Sequence, residues 1–112
     1  EVEAEVLSHE EVEEVAAIAV PNPDVDRATG DEEVKVVVVR TEGSSLSPEE
    51  LTEYLIERMP RHWVPRFVEF TNALPRTPSH KVKKAELRGA GITDATWDRV
   101  AAGIVLKREQ LV

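Results

Sequence analysis

Apolar residues fall along this chain in short, bounded groups, and the spacing within each group predicts its backbone. Val2, Val6 and Leu7 stand among Glu1, Glu3 and Glu5 at helical intervals, which predicts a short amphipathic helix ending near Ser8 and His9. The run Val15 to Val20 stops at Pro21-Asn22-Pro23 and predicts a buried strand leaving into a loop. That loop, 21–33, is polar and turn-rich. It feeds Val34 to Val39, VKVVVV, the strongest strand signal in the sequence because β-branched side chains suit pleated backbone.

Gly43-Ser44-Ser45 predicts a turn, and Ser47-Pro48-Glu49-Glu50 behind it has the form of a capping box with proline at the first helical position. Leu51, Tyr54, Leu55 and Met59 follow at three- and four-residue steps, and Pro60 ends the helix. Arg66 to Phe70 predicts a third strand between Pro65 and the Asn72 to Pro75 turn. Lys83 to Arg88 has room for one or two helical turns before Gly89 and Gly91. A last helix is expected after Thr93, with Trp97, Ala101 and Ile104 on one face and Trp97 pinning it to the body, although Gly103 weakens its end. The order α-β-β-α-β-α-α predicts an α+β fold, a small mixed sheet of about three main strands with helices packed on it.

Length confines these elements to one domain, since 112 residues enclose a single modest core. No cysteine is present, which excludes a disulfide framework or a thiolate metal site and fits a reducing, cytoplasmic setting. No apolar run approaches the roughly 20 residues that span a bilayer, and no signal-peptide layout opens the chain. Its single methionine is Met59 and Glu1 enters directly into helix, so the sequence reads as part of a longer polypeptide extending on the N-terminal side.

Charge changes the picture more. The net charge is −8, yet residues 1–57 carry 17 acidic and 3 basic groups whereas 58–112 carry 5 and 11. The acidic half repels a phosphate backbone, and the aromatic platforms of a single-strand binder are missing, which argues against nucleic acid. A local anion site in the second half remains open.

Most familiar site chemistries are excluded by spacing. His9, His62 and His80 are scattered without a second ligand at helical distance, so no metal site is expected. No serine lies on a nucleophile elbow and no glycine-rich phosphate loop exists. The carboxylates of 1–14 read as a solvated face, and Trp63 as a core or domain-contact residue. What is left is LPRTPSHKVKK at 74–84, where two prolines and a Thr-x-Ser turn present Lys81 ahead of a short basic helix. A lysine ammonium on its long stem can follow negative charge developing on a reacting group. Arg76, Lys83, Lys84 and Arg88 add positive potential around it. Composition alone does not separate this from a solubilising basic turn.

The segment LPRTPSHKVKKAELR resembles the motif that closes the C-terminal domain of adenylate-forming enzymes, the acyl-CoA and aryl-CoA synthetases related to luciferase and to peptide-synthetase adenylation domains. Leu74, Pro75, Arg76, Thr77, Ser79, Lys81, Val82 and Glu86-Leu87-Arg88 all fall in place. Upstream, EVEAEVLSHEEVEEVAAIAVPNPD at 1–24 is similar to the family's helix-then-strand opening, GDEEVKVVVV at 30–39 to its second strand, SPEELTEYLIERMP at 47–60 to its central helix and WVPRFVEF at 63–70 to its Val-Pro-Arg strand. The resemblance runs in order over about residues 1–88; residues 89–112 lie beyond it and are expected to be a helical extension. His80 stands where the family carries glycine, a feature shared with some carnitine- and crotonobetaine-CoA ligase-like members, and a side chain there is expected to crowd the turn and shift its backbone preference.

The resemblance implies the mobile C-terminal domain of an ATP-dependent acid–CoA ligase. Its partner would be a large N-terminal adenylation domain of the same polypeptide, which binds ATP, with Mg2+, and the carboxylic acid. In one orientation Lys81 would reach the carboxylate and the α-phosphate as acyl-AMP forms. In another, a rotated face would admit CoA. Arg76 and Thr77 would shape and anchor the Lys81 loop, while Lys83, Lys84 and Arg88 would supply general anion attraction or interdomain contact, or a solvated helix start. The isolated piece is then expected to bind no cofactor by itself and to be inactive. The competing reading is a stand-alone noncatalytic interaction module.

Overall fold

The computed structural model describes residues 1–25, 30–104 and 106. A four-stranded mixed sheet in the order β1-β2-β3-β4 carries helices on both faces, so the α+β expectation holds with one strand more than the sequence suggests. The elements run α1 (Val2–Leu7), β1 (Val12–Pro21), β2 (Glu32–Arg40), α2 (Pro48–Ile56), β3 (Phe67–Thr71), α3 (Lys84–Ala90) and β4 (Trp97–Asp98). β1 and β2 are antiparallel, with Val15 opposite Val38 and Pro21 opposite Glu32. β2 and β3 are parallel, joined by the crossover through α2, and pair Lys35 with Phe67 and Val39 with Thr71. β4 returns antiparallel to β3, with Val68 opposite Trp97.

Strand alternation divides the apolar residues between two layers. On one face Val36, Val38 and Val68 meet Val6 of α1 and Leu51 and Leu55 of α2, all buried. On the other, Ala16, Val37 and Val39 lie under Leu74, Val82 and Leu87, so α3 and the loop before it form the second cover. β2 is buried on both faces, which is why VKVVVV reads as a continuous apolar run. The one charged residue within VKVVVV, Lys35, is 2% exposed and bonds Glu69 at 2.8 Å and the Gly91 carbonyl.

Local signals set the helix starts. Ser47 accepts from the Glu50 amide at 3.1 Å and its own amide donates to the Glu50 carboxylate at 2.9 Å, a complete capping box with Pro48 in the first turn. α2 ends at Ile56, earlier than Pro60, and a 3-10 turn Arg61–Trp63 leads into β3.

The predicted last helix, and with it the helical character expected of 89–112, is not what the described residues adopt. α3 runs on to Ala90, and Trp97–Asp98 then forms an edge strand followed by turns. The three-to-four-residue spacing of Trp97, Ala101 and Ile104 loses to tertiary bonding. Asp98 is held by both Nε and Nη2 of buried Arg66, at 3.0 and 3.1 Å, and its Oδ1 accepts the Val100 amide at 2.9 Å. Gly103 then turns the chain at φ +86°, incompatible with continued helix. The rest of the expected helical extension, 105 and 107–112, lies outside the described residues.

Candidate functional site

Residues 76–82 form a tight hairpin standing on the α3 face of the sheet. Arg76 and Val82 bridge in antiparallel fashion, and Leu74, Val82 and Leu87 root the hairpin in the apolar layer over Ala16, Val37 and Val39. At its tip the His80 amide donates to the Thr77 carbonyl at 2.9 Å, with Pro78 at the second turn position, where its fixed φ is preorganised. A three-residue loop of this kind needs a left-handed residue after the turn. That residue is His80, at φ +68°.

The expected shift of backbone preference therefore does not occur: His80 takes the conformation that glycine would take. Histidine is among the few side chains enriched there, and its exposed ring meets solvent rather than packing.

Lys81 follows on a fixed mount. Its amide donates to the Thr77 hydroxyl at 3.1 Å and its carbonyl accepts the Thr77 amide at 2.8 Å. The carbonyl of the peptide ahead of it accepts from Arg76 Nη1 at 2.8 Å. The Lys81 side chain is exposed, and among the described residues no ion pair holds its ammonium. A rigid backbone thus carries a free cation into solvent.

The other basic residues are used differently. Arg76 is committed to the hairpin and to Glu14 of β1, at 2.6 Å. Lys84, in the first turn of α3, pairs with Glu3 of α1 at 2.7 Å, and the same Glu3 oxygen accepts the outward amide of Ala17 on the edge of β1 at 2.8 Å. Desolvation tends to raise the Glu3 carboxyl, but the bonds from Lys84 and Ala17 and the Lys84 charge outweigh it and hold it below the usual range. Lys84 is therefore a clasp between the helical layers around the sheet edge. Lys83, at the N-terminal cap of α3, and Arg88, in its last turn, are exposed and add positive potential on the side of the hairpin. Trp63 is 37% exposed, beside His62, and lines a shallow pocket with Val2, Ala17 and Val34. Among the described residues no group of three or more His, Asp or Glu side chains could hold a metal ion, and no helix is long and apolar enough to cross a membrane.

Two residues important to the site were not legible as such. By sequence Glu14 belongs to a solvated acidic face, but an irregularity in β1 turns it toward Arg76: Val12 is opposite Arg40 while Glu14 is opposite Val39, so one extra residue, Glu13, separates them. Val12 packs with the α1/α2 layer and Glu14 emerges on the hairpin side. Glu3 likewise carries no sequence mark of its role.

Residues 1–81 match the AMP-binding enzyme C-terminal domain family. The chain belongs to that family. Over 88 residues it is 41% identical to a feruloyl-CoA synthase of Amycolatopsis and 38% identical to a crotonobetaine/carnitine–CoA ligase of Proteus mirabilis, covering 79% of this chain in both cases and 17% and 16% of those proteins. Among solved structures, ATP-bound MatB from Rhodopseudomonas palustris superposes with TM-score 0.72 at 30% identity, and an acyl-CoA synthetase from Brucella canis with TM-score 0.69 at 35%; each match covers 80% of this chain and 17% or 16% of the other. The chain thus spans about a sixth of the length of the relatives it matches. These identities do not single out the carnitine-type branch, because the feruloyl-CoA synthase shares more of them over the same length.

Proposed function

We propose that residues 1–88 are the mobile C-terminal domain of an AMP-forming acid–CoA ligase and that Lys81 supplies the cation for carboxylate adenylation. The observation that carries this reading is the mount: a free ammonium on a backbone fixed at its amide, its carbonyl and the preceding carbonyl. ATP and the carboxylic acid bind in a large N-terminal domain of the same polypeptide, Mg2+ accompanies ATP there, and the domain closes over them. The Lys81 ammonium then offsets charge on the attacking carboxylate and on the α-phosphate oxygens as pyrophosphate leaves. Such preorganised electrostatic help is worth about 3 kcal/mol or more. A rotation that withdraws Lys81 presents a second face, along which CoA reaches the acyl adenylate. On this reading the reaction belongs in the cytoplasm, where both ATP and CoA are at hand.

In the complete enzyme Lys81→Ala is expected to slow acyl-AMP formation at least 100-fold while thioester formation from preformed acyl-AMP stays within about threefold. Ferulate, crotonobetaine and a long-chain fatty acid, the acids in the relatives' names, make the first substrate panel. Equal loss of both half-reactions, or of neither, overturns the role. Residues 1–112 alone, given ATP, CoA and the same acids, are expected to release no AMP.

A further inference from the structure

We infer that Glu14 is a positioning residue for Lys81, acting through Arg76. The inference rests on the reading of Lys81 as the adenylation cation and adds to it the element that aims the lysine. Arg76 is a two-headed brace: Nη1 donates to the His80 carbonyl at 2.8 Å and Nη2 to Glu14 Oε1 at 2.6 Å. The first bond fixes the peptide that enters Lys81, on the one residue of the hairpin held at positive φ without being glycine. The second ties that brace to β1, a strand with nine paired positions on β2.

The sequence provides for this contact in an unusual way. In a regularly paired strand Val12 and Glu14, two positions apart, would point to the same face of β1. With the extra residue Glu13, Val12 is buried against α1 and α2 while Glu14 comes out under the hairpin, a re-aimed side chain of the kind β-bulges produce. The apolar roots Leu74, Val82 and Leu87 hold the base of the hairpin. They do not reach its tip. Among the described residues the tip beyond Arg76 is held by bonds within itself, through Thr77 and Ser79, so Glu14 is the one described side-chain connection from the sheet to the peptide before Lys81.

Both Glu14 and Arg76 are about one-third exposed, at 34% and 35%, so the pair contributes little to global stability. Its loss should loosen the tip without unfolding the domain. A catalytic group displaced by about 1 Å can lose up to 100-fold in rate, and an effect of that kind falls on the step that uses the group.

The test uses the complete enzyme with the best acid of the panel above, and compares Glu14→Ala, Glu14→Gln and Lys81→Ala. Glu14→Ala is expected to slow acyl-AMP formation about 10-fold through kcat, with KM for ATP and acid unchanged and thioester formation from preformed acyl-AMP within twofold. Glu14→Gln keeps an oxygen that can accept from Arg76 and is expected to stay within threefold of the parent in both steps. Deuterium uptake of the peptide spanning 76–82 should rise in Glu14→Ala, with uptake across β2 unchanged. If adenylation stays within twofold, or both half-reactions fall together, Glu14 does not position Lys81. If Lys81→Ala itself spares adenylation, the reading beneath falls and this inference with it; if Lys81→Ala is selective and Glu14→Ala is silent, only the inference falls.

Discussion

Arg66 and Asp98 face each other in a two-bond fork, Nε to Oδ1 at 3.0 Å and Nη2 to Oδ2 at 3.1 Å, which fastens the edge strand β4 to the start of β3. The same guanidinium, 5% exposed, reaches Asp24 at 2.8 Å and Glu33 at 3.5 Å, so one buried cation serves three carboxylates from three parts of the chain. Desolvation opposes but does not overcome the Asp98 bond, and the Arg66 proton is held more tightly than in water. Removing the cation takes the fork from half-buried Asp98 and leaves the Asn22 carbonyl and Glu33 facing the gap, while Asp24, 63% exposed, returns to water. Arg66→Ala is expected to lower the unfolding free energy by about 3 kcal/mol or more, read from urea denaturation. A loss under about 1 kcal/mol would mean that the fork is decorative.

His80 gives the second prediction. A non-glycine side chain in the left-handed region costs about 1–2 kcal/mol, partly offset here because glycine would add freedom to the unfolded chain. His80→Gly is expected to stabilise the domain by up to about 1 kcal/mol, and His80→Val, branched at Cβ, to destabilise it by at least as much. Denaturation midpoints that order the three variants otherwise would contradict the hairpin geometry.

Residues 91–104 lie beyond the 1–81 family match, yet they supply the Gly91 carbonyl to Lys35, the Thr93 and Thr96 hydroxyls to Glu69 at 3.1 and 2.8 Å, and Asp98 to Arg66. Ending the chain after Ala90 is therefore expected to cost more stability than Arg66→Ala, because a buried lysine and a buried arginine lose partners at once. Equal urea midpoints for the shortened and full chains would refute this.

Acid should loosen the same network. Burial raises the Glu69 and Asp98 carboxyls, but bonds from Lys35, Thr93 and Thr96 in the first case and from Arg66 and backbone amides in the second reverse the shift, so both are lowered from ordinary values of 4.5 and 3.8. A depressed carboxyl stabilises the fold above its unfolded pKa and loses that contribution as pH falls through the folded one. Thermal stability is expected to be flat above about pH 5 on account of these groups and to decline progressively below about 4.5. Glu69→Gln should have a shallower decline than the parent over that window.

Much of the fold was legible because its signals are local. Ser47 and Glu50 carry their capping chemistry in four residues, and the valines of 34–39 state burial on both faces of β2. The last strand was hidden because Trp97, Ala101 and Ile104 satisfy a helical period, and only Arg66, 32 positions before Asp98, decides otherwise. Glu14 was hidden by a one-residue irregularity that alternation cannot foresee, and Lys84 by a partner at Glu3, at the far end of the chain. Lys81 itself stood out as a cation on a turn, but its distinction from a solubilising lysine came from resemblance. Its fixed backbone needed coordinates.

The parallel pairing of β2 with β3 bears on the order of folding. Lys35 meets Phe67 across the whole α2 crossover, whereas β1 and β2 close over a short connection, so the β1–β2 hairpin and the capped α2 can form early and the β3 docking must wait for chain closure. The lysine hairpin roots in Val37 and Val39 and is braced by Glu14, and it leaves directly from β3. With β3 undocked, the seat on β1 and β2 is present, but the hairpin, which follows β3 in the chain, is not carried to it. The rigid lysine is thus a product of the finished sheet, and a half-folded domain would carry only an unaimed charge.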